Sequence, residues 1–323
     1  FKPREYQNLI INQILDKPRT AIWAGMGMGK TSSTLTALET MYLAGESRPT
    51  LVLAPLRVCN STWPEEAHKW AHLTEIDVQP VTGDEKNRLA ALKRDVSIYA
   101  CNYQNIPWLV DHYGAHWPFG TVVADESTRL KSFRLRQGGV RAQALAKVAH
   151  KNVKRFINLT GTPAPNGLQD LWGQTWFLDA GQRLGRTYSA FTDRWFCRTA
   201  DGFGRELRSQ SAADEIYNKL RDICLTIEAR DWFDLKEPIV KEIEVEMPRS
   251  ARRLYDQLKK DLILQIEQHT ITAANAAVKT QKLLQMANGA AYVDPNTEDD
   301  HDPRAREYRI VHDAKLEALD SII

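Results

Sequence analysis

Residues 20 to 31 read TAIWAGMGMGKT: a short apolar run, three glycines spaced by methionines, then Lys-Thr opening a helical pattern. This strand, loop and helix order constrains the fold more than any other feature of the chain. Glycines let a backbone turn tightly enough for its N–H groups, and the N-terminus of the helix that follows, to face a phosphate. Gly27 and Gly29 supply that backbone, Lys30 is placed to contact outer phosphates, and the Thr31 hydroxyl is placed to ligate Mg2+. The strict spacing G-x-x-x-x-G-K-[ST] would put its first glycine at position 24, where this chain has Ala24. Phosphate binding is shared by kinases, GTPases, motors and regulators, so the use of the loop must be read elsewhere.

The rest of the first half supports an α/β class. Thr20 to Ala24, Thr50 to Ala54, Ile76 to Val81, Val96 to Ala100, Thr121 to Ala124 and Arg155 to Leu159 read as buried strands. Helical patterns separate several of them, among them Lys30 to Ala44, and that alternation predicts a mostly parallel sheet flanked by helices. Ligands in such sheets bind beyond the carboxyl ends of the strands. After Leu159, TGTPAPNG is rich in breakers, Asn166 and Gln169 have capping-box spacing for a helix, and Gly181 is expected to end it. Residues 183 to 227 are aromatic and basic. Pro238 to Glu246 alternates like a strand, Ser250 to His269 and Asp313 to Ile322 read as helices, and Asp294 to Glu307 reads as an exposed acidic loop.

Composition excludes several classes. With 43% hydrophobic and 26% charged residues, and no apolar run near the ~20 residues that span a bilayer, the chain reads as a soluble protein with no membrane partner. The four cysteines are scattered without metal or disulfide spacing, which favours a reduced, cytoplasmic setting. Phe1 follows neither a Met start nor a signal pattern, so a piece of a longer chain is expected. Net charge is only +2, yet Ser127 to Gln169 holds nine Lys and Arg and no Asp or Glu, a candidate footprint for a polyanion.

A hydrolysing phosphate cradle also needs carboxylates at a second strand end. VVADES at 122 to 127 supplies them, with Asp125 for the metal and Glu126 for the attacking water. With that pair in place, the chain resembles the front, RecA-like lobe of a superfamily 2 helicase-type ATPase, and specifically the Swi/Snf-like DNA translocases in their compact bacteriophage form. PREYQ at 3 to 7 resembles the adenine-reading segment, GMGMGKT the phosphate loop, and LVLAPLRVCNSTWPEEAHKW at 51 to 70 the first DNA-contacting segment. NYQ at 102 to 104 is similar to the next DNA-side motif, DESTRLKS at 125 to 132 to the magnesium and water motif, and LTGTPAPNGLQDLW at 159 to 172 to the coupling motif.

The resemblance implies ATP and Mg2+ as cofactors and DNA as partner. It implies Lys30, Asp125 and Glu126 as catalytic, Arg4 and Gln7 on the nucleotide beside Gly27, Gly29, Lys30 and Thr31, and Thr31 with Asp125 on the metal. Thr160, Gly161 and Thr162 would couple, while Arg57, Asn102, Tyr103, Arg129 and Lys131 would meet DNA. It further implies a lobe over 1–180, a helical insertion over 181–235, and a linker over 236–323 leading to a second RecA-like lobe whose arginines this chain lacks. An isolated chain of this kind is expected to be weakly active. Two departures stand out: Ala24 and Gly25 replace an acidic pair, and Thr128 replaces a histidine. Two other readings remain open: a nucleotide-regulated DNA-binding module that separates no strands, and a P-loop kinase or GTPase acting on a small substrate. The tryptophans are expected to be mostly core, and the two i, i+4 histidine pairs to be surface or packing residues. Oligomeric state and polarity of movement have no sequence signal.

Overall fold

The computed structural model describes residues 2–199, 204–234, 241–267, 273–292 and 308–322. The chain divides into two units, Phe1–Lys236 and Glu237–Ile323.

The first unit opens with α1 (Glu5–Asp16), β1 (Arg19–Ala24), α2 (Lys30–Leu43), β2 (Thr50–Ala54), α3 (Trp63–Lys69) and β3 (Val78–Val81). It continues with α4 (Glu85–Leu92), β4 (Ile98–Asn102), α5 (Ile106–Tyr113), β5 (Thr121–Asp125), α6 (Val140–Ala149), β6 (Arg155–Thr160) and α7 (Asp170–Asp179). After these come α8 (Tyr188–Trp195), the short hairpin β7 (Phe196–Arg198) and β8 (Arg205–Leu207), α9 (Gln210–Leu220) and β9 (Cys224–Ile227).

Seven strands form one sheet in the order β3-β4-β2-β5-β6-β1-β9, and every pairing in it is parallel. Parallel strands need crossovers, and the helices that make them cover both faces, which is why β2 is buried at all five positions. Two cores result. Trp23, Leu53, Phe119, Val122, Phe156 and Trp172 share one face; Ile22, Val52, Val123, Ile157 and Trp63 share the other. β5 and β6 lie between β1 and β2, so the loops leaving β1, β5 and β6 meet at one end of the sheet. At the opposite end, arginines staple the layers. Arg19 donates to the carbonyls of Phe177, Ala149 and Val153, Arg48 to those of Pro118, Phe119 and Asn152, and Arg155 to those of Ile14 and Leu15.

Three sequence expectations are revised. The Asn166 and Gln169 capping box does not form, because Gln169 Nε2 donates to Arg205 O and its Oε1 accepts from Tyr188, while the Asp170 carboxylate accepts from Asn166 N–H. α7 ends on Ala180 in the left-handed region (φ 54°), one residue before Gly181. Inside the segment expected as an insertion, β9 is the sheet's edge strand, pairing Ala21–Ala24 with Cys224–Ile227. Its four residues are too few, and its neighbours too polar, to stand out as a strand by pattern.

The second unit contains α10 (Arg249–Glu267), α11 (Ala273–Ala287), an antiparallel pair β10 (Ala290–Tyr292) and β11 (Tyr308–Ile310), and α12 (Ala314–Asp320). Gly289 (φ 104°) makes the turn into β10, where a Cβ would meet His312 O at 2.5 Å. Of the stretch expected as a strand over 238 to 246, residues 241–246 carry no strand and the rest lie outside the described residues, as does the 294–307 loop.

Candidate nucleotide site at the carboxyl ends of the sheet

The glycine-rich loop leaves β1 and enters α2 through two left-handed residues, Gly27 (φ 75°) and Gly29 (φ 68°). Gly29 is also closed in by Gln7, whose Nε2 would overlap any Cβ placed there. Gln7 is itself oriented by the Arg4 N–H, which donates to its Oε1 at 2.9 Å, and the exposed Arg4 guanidinium lies over the Phe233 ring at 4.9 Å. Lys30 turns back on the loop, donating from Nζ to Ala24 O at 2.7 Å and Gly25 O at 2.9 Å. Burial pulls its pKa below the usual lysine value, while the nearby Asp125 and Glu126 carboxylates push it back up. Ala24 therefore contributes a carbonyl at the position where the strict motif has glycine.

β5 delivers Asp125 to the same end. Burial raises the pKa of its carboxyl, opposed by a hydrogen bond from Trp63 Nε1 to Oδ2 at 2.9 Å and by the charge of Lys30. The chain then turns sharply at Glu126, a left-handed residue (φ 61°) without the licence of glycine, a conformation that clusters at functional sites. Tyr103 braces that turn by donating to Asp125 O at 2.9 Å and Glu126 O at 3.4 Å. The Glu126 carboxylate accepts on Oε1 from Thr128 Oγ1 at 2.8 Å and from Thr160 Oγ1 at 3.5 Å. Thr128, the departure from the related motif, thus holds the Glu126 carboxylate directly.

From β6, Thr160 is buried and its Oγ1 also accepts the Thr162 N–H at 3.1 Å. Gly161 lies flat on the glycine-rich loop, where a Cβ would meet Ala24 O at 3.3 Å and Gly25 Cα at 3.6 Å. Register aligns these ends: Trp23 pairs with Thr160, and Asp125 with Leu159. Gln174 on α7 ties them from behind, accepting from Ser127 Oγ at 2.8 Å and donating to Pro163 O at 2.7 Å, while its own carbonyl accepts from Asn158.

The residues expected to meet DNA divide. Arg57 and Arg129 are exposed. Lys131 is half-buried and ion-paired with Asp170 at 3.0 Å. Tyr103 is only 1% exposed and Asn102 7%, its side-chain oxygen accepting from Asn105 and its amide donating to Gln104, so neither presents itself to an outside ligand. Both close a strand inside the lobe, and residue type alone could not separate that from a surface role.

The acid-free run does not form one patch. Arg155 and Arg134 are used internally, Arg134 lying over the Tyr188 ring at 3.4 Å. α6 then carries the chain from the carboxyl to the amino end of the sheet, so Lys147, Lys151 and Lys154 are exposed far from the loops, and Arg129, Arg136 and Arg141 stay near them. Trp63 lies in the core, as expected of the tryptophans, but its bond to Asp125, like the roles of Gln174 and Ser127, has no spacing signal: a lone polar residue in a helix, or a tryptophan behind a loop, announces no contact.

The donor set fits a magnesium nucleotide. Two left-handed glycines frame the cradle, a lysine is satisfied only by loop carbonyls that an outer phosphate would replace, and a carboxylate faces it. The seven-stranded parallel sheet flanked by helices is a RecA-like lobe of the ATPase type. The chain belongs to the SNF2-related domain family, whose signature matches residues 19–290. It is 56% identical to protein p41 of Acyrthosiphon pisum secondary endosymbiont phage 1, over the whole of this chain and 69% of that protein. It is 26% identical to the helicase SWR1 of Yarrowia lipolytica over 73% of this chain but 13% of that one. Its fold matches the Sulfolobus solfataricus SWI2/SNF2 ATPase core in complex with dsDNA, at a TM-score of 0.57 and 21% identity, covering 90% of this chain and 59% of that one. No helix among the described residues is long and apolar enough to cross a membrane.

Proposed function

We propose that the chain is the ATP-binding and ATP-hydrolysing lobe of a cytoplasmic DNA translocase. The observation that carries this reading is the convergence of Lys30, Asp125, Glu126 and Thr160 at one end of the sheet, with a shared oxygen, Glu126 Oε1, bridging the magnesium motif to the coupling motif. Lys30 would give up its loop carbonyls for the outer phosphates, Thr31 and Asp125 would hold the cation, and Gln7, beside Gly29 and oriented by Arg4, would read the base. Bound magnesium supplies charge neutralisation for the phosphates. Glu126 orients water from a fixed backbone turn, and a change in its hold on Thr160 is passed to the Thr160–Thr162 loop and through Gln174 to α7. Arg57 and Arg129 grip the phosphate backbone of DNA, the ligand of the archaeal neighbour, without reading sequence.

Residues 1–180 form the motor lobe in this reading, 181–235 an insertion that returns a strand to it, and 236–323 a linker toward a second lobe. The arginines of that second lobe complete hydrolysis, an effect worth about 10³–10⁵ in rate in related phosphoryl-transfer sites. Triplex displacement by the intact protein tests movement: ATP-dependent displacement is expected. Tight DNA binding that responds to ATP without any displacement would favour the nucleotide-regulated binding module.

A further inference from the structure

The segment between β2 and α3 contains a π-turn, Val58–Thr62, closed by the Trp63 N–H donating to Val58 O. A residue added to a helical turn rotates everything after it by about 100° around the axis, and such turns are frequent at functional sites. Here the rotation carries Trp63 inward to full burial, where its indole N–H reaches Asp125 Oδ2 at 2.9 Å. The turn is pinned to the end of β2 by the buried Cys59, whose N–H donates to Pro55 O at 3.0 Å and whose thiol donates to Ala54 O at 3.4 Å. At the same, amino-terminal end stands the exposed Arg57, whose carbonyl accepts from Ser61 Oγ at 2.9 Å. One pinned element thus carries an exposed guanidinium and, more than a turn later, a hydrogen bond to the half-buried Asp125 carboxylate.

We propose that Trp63 is a positioning residue for the divalent cation: by engaging one oxygen of Asp125 it fixes the carboxylate that holds the metal and ties that carboxylate to the Arg57 turn. The inference rests on the reading of Asp125 as the metal-side carboxylate. A ring of this size would fill the core without its N–H, and Trp70 shows the same indole satisfied by a nearby glutamate, Glu66, in an ordinary helical contact at 2.9 Å. What separates Trp63 is that its acceptor is a group assigned to the reaction. Removing an outer partner of a metal ligand costs about 10–100-fold in metal affinity.

The test measures binding of a fluorescent ADP analogue to the full protein, with excess EDTA and across a magnesium titration. It compares wild type with Trp63→Phe and with benzothienylalanine at position 63, which keeps the ring and lacks only the N–H. Affinity in EDTA is expected to stay within about two-fold, while the magnesium concentration giving half the effect rises about 10–100-fold in both variants. If the benzothienylalanine protein keeps the wild-type magnesium dependence, Trp63 is core filling and the proposal is overturned, even where Trp63→Phe melts early. If wild type binds no nucleotide with or without magnesium, the functional reading falls and takes this inference with it.

Discussion

At the scale of single residues, the site is built under local cost. Gly173 presses α7 onto the turn after Asp125, where a Cβ would meet Lys131 O at 2.5 Å and Leu130 O at 2.8 Å. Both are backbone atoms, so Gly173→Ala is expected to destabilise the lobe by about 1–3 kcal/mol in urea unfolding. A variant as stable as wild type would show that the helix has room to retreat. Asp125 illustrates the opposite exchange. Burial raises its folded-state pKa above the ordinary carboxyl value, so its ionisation opposes folding: stability is lost as pH rises from the unfolded value through the folded one. Without nucleotide or metal, Asp125→Asn is therefore expected to melt at a higher temperature than wild type at about pH 8, with the gap closing at acid pH where both side chains are neutral. A lower melting temperature at both pH values would contradict that assignment of the burial cost.

Among elements, the loops from β1, β5 and β6 are locked together through α7. Gln174→Leu removes the acceptor of the buried Ser127 hydroxyl and the donor to Pro163 O. Unmatched buried polar groups put the expected loss at about 1–3 kcal/mol, measurable by urea unfolding. Weakened DNA stimulation of ATP turnover should accompany it, and unchanged stimulation would limit Gln174 to stability. The strands that hold these loops were legible because the six apolar runs and the glycine loop each have a period or a breaker, and the observed β1, β2, β5 and β6 start or end within a residue of the expected bounds. β9 was not legible, since its partner β1 lies about two hundred positions away and only tertiary pairing defines it. The same holds for the false capping box: Asn166 and Gln169 have the right spacing, but Arg205 and Tyr188, distant in sequence, claim the glutamine. Within the site, Lys30, Asp125, Glu126 and Thr160 could be named from motif order, whereas Trp63 and Gln174 act through contacts that no spacing announces.

Across the whole molecule, charge follows topology more than sequence runs. Because α6 crosses the sheet, the basic residues of 127–169 face two ends of the lobe. Reversing Arg129 and Arg136 to Glu is expected to weaken DNA binding and flatten its salt dependence, while reversing Lys147, Lys151 and Lys154 leaves both nearly unchanged. Equal effects would mean that DNA wraps the lobe rather than meeting its loop end. If the convergent loops turn over ATP in response to DNA, hydrolysis by the intact protein, with and without DNA, separates wild type from Lys30→Ala and Glu126→Gln. DNA should stimulate the wild-type rate; Lys30→Ala should abolish it, and Glu126→Gln should lower it at least about 10²-fold while nucleotide still binds. Wild-type turnover by Lys30→Ala would contradict the account.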